Sequence, residues 1–174
     1  MRGLLGFLCL FGVAMLLTPV VALAPAKAQS EETIVGYIPE NFTIDGWRLR
    51  CRGAQTVLVP DFGHFGAAVP GTILLDPDRL ADLPASVQIF IFGHECAHQF
   101  VGANEPAADC LSAMVGRREG WLDRTGLEEV CRFIRPFRAT SVHPSGPERC
   151  RIIRSCFAEV RLLDRETVGR STIR

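Results

Sequence analysis

The run from Val87 to Phe100 is apolar almost all round, yet two histidines and an acid are set inside it. Such a run reads as a helix buried on every side. Pro84 suits its first turn and Gly102 ends it. Within it stands His94-Glu95-Cys96-Ala97-His98. Two imidazoles four residues apart leave one face of a helix, and the charge of Glu95 needs a partner there. The chain has only four histidines, and two of them take this spacing. One Zn²⁺ held by both, with Glu95 beside it to act on a metal-bound water, answers that need. Two histidines that merely pack a helix would leave Glu95 unexplained.

Zinc that is to keep one open position needs a third protein ligand. Asn104 caps a second helix, with Pro106 in its first turn and Gly120 beyond its end near Arg118. The turn at Gly102 folds this helix back on the first. Glu105 stands in its opening turn and is the preferred third ligand, with Asp109 one turn on along the same face. Asp109 is placed to accept the free N–H of a ligating histidine, which fixes the tautomer, or to serve as the ligand itself. Both acids also suit a helix N-terminus on electrostatic grounds alone. Cys96 lies about 200° around the helix from His94, so it faces the core, away from the metal.

The other elements are shorter. Trp47 to Val59 suggests one or two strands, Pro60 to Gly71 a loop, and Thr72-Ile73-Leu74-Leu75 a strand that ends at Asp76-Pro77. Residues 29–46 read as an irregular lead-in. Thr125-Gly126-Leu127-Glu128 and Ser145-Gly146-Pro147-Glu148 have the form of capping boxes for two further helices. The last helix is expected to turn Ile152, Ile153, Cys156, Phe157, Val160 and Leu163 inward, and the tail beyond Glu166 is expected to fray. The expected class is α+β, mainly helical, with a small sheet on the N-terminal side. No internal repeat is visible.

Arg2, the apolar stretch from Gly3 to Ala24 and Ala26-Lys27-Ala28 have the form of a secretory signal peptide cleaved after Ala28. Residues 1–28 are then the signal and residues 29–174 a single domain, secreted or periplasmic. An uncleaved segment would instead make a membrane tether. Seven cysteines are present, and Cys51, Cys96, Cys110, Cys131, Cys150 and Cys156 fall in the mature part. An even number behind a signal reads as disulfides. Cys96 with Cys110 is the preferred pair, since it would tie the two metal-bearing helices. Cys150 and Cys156 point to different helix faces and should not bridge each other. Nineteen basic and 19 acidic residues cancel, and no basic cluster interleaves with aromatics, so a nucleic-acid partner is not indicated. The absence of any C-x-x-C argues against a thiol-redox protein.

Glu105-Pro106-Ala107-Ala108-Asp109 has the form E-x-x-A-D, and in this the chain resembles the gluzincin zinc endopeptidases of the HtpX-like and CAAX-prenyl-endopeptidase type. In that family HExxH is followed by a second helix with this pattern. Ser141-Val142-His143-Pro144 to Arg149 is similar to its late THP…R segment, and Pro70-Gly71 before Thr72–Leu75 to its cleft strand. The matches keep family order over roughly residues 67–153. The gap from His98 to Glu105 is shorter than the family's, its membrane-spanning portion is missing, and the cysteines are extra. The resemblance implies a zincin-like active-site helix, a second metal-ligand helix, Glu105 as third ligand and Asp109 as its supporting partner, in a compact secreted branch.

The expected activity is that of a zinc endopeptidase acting on polypeptide. Glu95 takes the proton of the attacking water and passes it to the leaving amine. Thr72, Ile73, Leu74 and Leu75 are expected to pair with an extended substrate backbone. His143 is either a hydrogen-bond donor to the oxyanion or part of a His-Pro turn. Arg149 reads as an ion-pair former or a contact to a substrate carbonyl, and His64 as an exposed loop histidine. The competing reading is a non-catalytic, disulfide-stapled metal-binding or scaffold protein that retains the site.

Overall fold

The computed structural model describes residues 36–160. The signal-peptide and tether expectations, and those for Leu163 and the C-terminal tail, lie outside these residues. The fold is α+β and mainly helical, with its strands on the N-terminal side. A short ribbon pairs β1 (Thr43–Ile44) with β2 (Trp47–Arg48). β3 (Gln55–Leu58), β4 (Gly66–Val69) and β5 (Thr72–Leu75) make a three-stranded sheet in the order β3-β5-β4. β5 runs parallel to β3 and antiparallel to β4. Val69 faces Thr72 across Pro70-Gly71, and Gly71 has φ of 75°, as the third position of a tight turn requires.

This hairpin corrects the expected loop over 60–71. Small residues masked a strand in Gly66-Ala67-Ala68-Val69, because they lack the branched and aromatic side chains that mark strands. Asp76-Pro77 also does more than turn the chain. Asp76 accepts from the backbone N–H groups of Asp78 and Arg79 and caps α1 (Pro77–Ala81).

α2 (Ala85–Val101) is the central element and packs on α3, α4, β1, β4 and β5. Phe92, Ile89, Val87 and Cys96 are buried along it. Pro84 is its N-cap. α3 (Glu105–Glu119) begins as expected, with the Asn104 side chain accepting from the N–H of Ala107, and it ends at Gly120 in the left-handed conformation. α4 (Arg124–Ile134) is capped by Asp123, which accepts from Gly126 N–H. The expected cap, Thr125, sits inside the helix instead. α5 (Gly146–Glu159) starts after Ser145, whose hydroxyl makes no capping bond. It buries Ile153, Cys156 and Phe157 against the other helices.

Three disulfides join these parts: Cys51–Cys96, Cys110–Cys156 and Cys131–Cys150. The expected Cys96–Cys110 bridge does not form. α3 lies on the His94 face of α2, and Cys96 points off the far side, toward Cys51 in the segment after β2. The same rotation that brings His94 to α3 takes Cys96 away from it. Cys150 and Cys156 do take separate partners and staple α5 to α4 and α3. Three disulfides point to an oxidising compartment. No described helix is long and apolar enough to cross a membrane. Replacing Cys110 and Cys156 together by alanine should lower unfolding free energy by about 4 kcal/mol on loop-closure grounds, read by chemical denaturation. A loss under ~1 kcal/mol would mean α3 and α5 hold together without the bridge.

Candidate metal centre

Gly102, which ends α2, has φ of 60° and ψ of −146°, a region open almost only to glycine. The sharp reversal there lays α3 back along α2. His94 and His98 from α2 then meet Glu105 from the first turn of α3. His94 Nε2 is 3.1 Å from His98 Nε2 and 3.2 Å from Glu105 Oε2. His98 Nε2 is 3.5 Å from Glu105 Oε1. All three side chains offer a ligand atom within 4.8 Å of one another.

These distances fit a small divalent cation. Four ligands at about 2.0–2.1 Å from a tetrahedral ion lie roughly 3.3 Å apart, and the observed separations bracket that spacing. Glu105 Oε2 is buried and, among the described residues, has only unaligned 3.2 Å contacts to the Nε2 atoms of His94 and His143, a costly arrangement unless a cation fills it. A His-His-Glu group that could hold a metal ion is therefore present in the structure.

The ligand orientations are held from behind. His98 Nδ1 is 2.6 Å from the carbonyl oxygen of Gly102, so Nδ1 carries the proton and Nε2 presents its lone pair. His94 Nδ1 is 3.0 Å from Asp109 Oδ1, close but not aligned as a hydrogen bond. Asp109 is fully buried and takes both Nε and Nη2 of Arg149, at 2.8 and 2.7 Å. The ion-pair reading of Arg149 matches this contact. Asp109 thus stands behind His94, while Glu105 stands at the metal position.

The charges respond to this packing. Burial pulls His94 down, but Asp109 and Glu105 outweigh it and raise its pKa from 6.5 to about 9. Burial tends to raise Glu105 and Asp109. The His94 ring beside it nonetheless holds Glu105 below the usual carboxylate range, and Arg149 with His94 does the same for Asp109. Glu95 is the exception, because burial pushes its pKa up against the pull of both histidines. A carboxyl so placed is closer to the range a general base needs.

Glu95 packs against β4. A Cβ placed on Gly66 would come within 2.9 Å of Glu95 Cγ, so the strand approaches this closely only because Gly66 has no side chain. His143 lies in the loop before α5, pinned by Thr140, whose hydroxyl accepts from His143 N–H at 2.9 Å. Its Nε2 is 3.2 Å from Glu105 Oε2. The structure therefore brings His94, Glu95, His98, Glu105, Asp109, His143 and Arg149 to one place. His64 is exposed on its loop, as the sequence suggests.

Thr72, Ile73, Leu74 and Leu75 require correction. β5 is the middle strand, bonded on both edges, and Ile73 and Leu75 are fully buried. It cannot accept a further strand. Among the described residues the edge strand on the cleft side is β4, whose residues line a cleft of about 660 Å³ with His94, Glu95, His98 and Glu105. Gln99 fixes this edge beside the cleft: its amide donates to Val69 O at 3.0 Å and its Oε1 accepts from Gly71 N–H at 2.9 Å. The Pro-Gly turn between two short apolar runs was the available signal for this hairpin. Compared with family models, curated proteins and solved structures, the chain matches none.

Two outcomes follow for metal binding. A metal must displace the proton on His94, so apparent affinity should rise by about tenfold per pH unit between pH 6.5 and 8, with close to one proton released per ion. Calorimetry in buffers of different ionisation enthalpy reads this; a pH-independent affinity would contradict the site. In the metal-free protein the sign is opposite. The His94 contribution to stability is full below pH 6.5 and is lost as pH rises through about 9. Asp109→Asn should weaken metal binding about 10–100-fold; unchanged affinity would deny Asp109 its supporting part.

Proposed function

We propose that the protein is a zinc-dependent endopeptidase, exported to the periplasm or the outside of the cell, that hydrolyses peptide bonds in extended polypeptide. The observation that carries this reading is the convergence of His94, His98 and Glu105 at the floor of a cleft, with the Glu95 carboxylate beside them and an unpaired strand edge above. Nitrogen and carboxylate donors at tetrahedral spacing favour zinc over the hard cations that prefer all-oxygen sites. The resemblance of Glu105-Pro106-Ala107-Ala108-Asp109 to the E-x-x-A-D of the gluzincin endopeptidases supports the same assignment, since that pattern implies a third ligand and its supporting acid.

His94 Nε2, His98 Nε2 and a Glu105 oxygen would hold the ion, with Asp109 and Arg149 fixing the ring of His94. The bound ion supplies acidification of a water molecule and polarisation of the substrate carbonyl. Glu95 accepts the proton of the attacking water at its carboxylate and returns it to the departing amine nitrogen, so it ends the cycle as it began. His143, facing the cleft, donates from Nε2 to the carbonyl oxygen as negative charge builds there. β4 lends its free N–H and C=O groups to the substrate main chain, which places the scissile bond without reading its sequence.

A scaffold that keeps the metal only for stability would have no use for Glu95 on the cleft side or for an open strand edge. The test is Glu95→Gln, a change that preserves size and leaves the three ligands in place. Metal content should stay at one ion per chain while cleavage of an unfolded protein falls by a factor of about 10³ or more. Equal cleavage by the variant, or none by the parent chain across a broad peptide library, would refute the assignment.

A further inference from the structure

Two clefts flank the metal group, and they are built of different material. The one along β4 is walled by Ala67, Ala68, Gly102 and Ala103, with Val69 and Pro70 at its outer end. Val69 is 47% exposed, so it forms a rim rather than a pocket. The other, of about 520 Å³, is walled by Phe65, Phe90, Phe133, Ile134 and Phe137. The Phe133 ring stands edge-on to Phe65 at 5.1 Å and to Phe137 at 5.3 Å, an arrangement favoured between aromatic rings. Phe137 remains 41% exposed at the mouth. His94, Glu95 and His143 line both clefts, so a peptide bond held at the metal group sends one neighbouring residue into each.

We infer that the protein cuts beside a large apolar side chain, aromatic or long aliphatic, seated in the Phe65–Phe133–Phe137 pocket, and selects no side chain on the other side of the scissile bond. This rests on the peptidase reading. The cleft along β4 is walled by small side chains that give a substrate side chain little to grip, and the β4 edge reads main-chain groups that every residue carries. The aromatic pocket withdraws a bulky apolar group from water and does so only on its own side. Phe65 comes from the loop before β4 and Phe133 and Phe137 from the end of α4 and the segment after it, so these three rings can be changed without touching a residue that holds the metal.

The test uses two readouts on the metal-loaded full protein. Hydroxamates that differ only in carrying a benzyl or a methyl side chain report the pocket through binding, without turnover. The benzyl compound should bind tighter by about tenfold or more, and Phe133→Ala should remove most of that difference with metal content unchanged. Phe137→Ser, at an exposed position, should do the same to a lesser degree and keeps the test valid if the first variant fails to fold. Cleavage sites mapped in a peptide library should be enriched in Phe, Tyr, Leu and Met at one flanking position only. Equal hydroxamate affinities, or no preference at either flank, overturn the inference while Glu95-dependent cleavage leaves the peptidase reading standing. Hydroxamate discrimination without cleavage of any peptide retires the cutting rule together with the peptidase reading.

Discussion

Everything at the site depends on one packing constraint, the laying of α3 against the His94 face of α2. α2 is buried on nearly every side, so an imidazole inside it must find a partner in whatever packs there. Asp109 and Glu105 are those partners, and they occupy the first turn or so of α3. The reversal at Gly102 sets the register. Without a residue able to adopt that conformation, α3 would start elsewhere and the carboxylates would miss both rings. Arg149, from α5, then neutralises Asp109 from behind. The buried carboxylate is thereby made tolerable, and three helices are locked into one electrostatic unit.

The disulfides act on the same framework from outside it. Cys51–Cys96 anchors α2 one residue from Glu95, on the side opposite the metal. The other two bridges hold α5, and so Arg149, against α3 and α4. A small domain has limited apolar surface to bury, and cross-links of this kind compensate for that. The cleft is thus framed by rigid parts: a stapled helix below, a Gln99-pinned hairpin edge on one side, and a wall of edge-on aromatic rings on the other. Rigid framing of this sort is what placing a water, a base and a carbonyl requires.

Much of this was legible in the residues themselves. The apolar run around His94 and His98, the Asn104 cap and the Gly102 and Gly120 stops fix the two central helices. The shared face of Glu105 and Asp109 follows from their spacing. Long-range pairing was less accessible. The Cys96–Cys110 expectation treated two nearby helices as sufficient for a bridge, although the rotation already assigned to Cys96 turned it away from α3. β4 was hidden by its small side chains, and so β5 was given a role that only an edge strand can fill. Nothing local in Phe65, Phe133 or Phe137 announces a common wall, because they come together only when α4 folds over the loop before β4.

The central claim is that His94, His98 and Glu105 hold a single ion. Anomalous diffraction recorded on crystals of the zinc-loaded protein, on both sides of the zinc edge, tests it most directly. The account predicts one edge-dependent peak about 2.0–2.2 Å from Nε2 of both histidines and from a Glu105 oxygen, with Asp109 against Nδ1 of His94 and outside the coordination sphere. A peak elsewhere, or one ligated by Asp109 with Glu105 turned away, would contradict it.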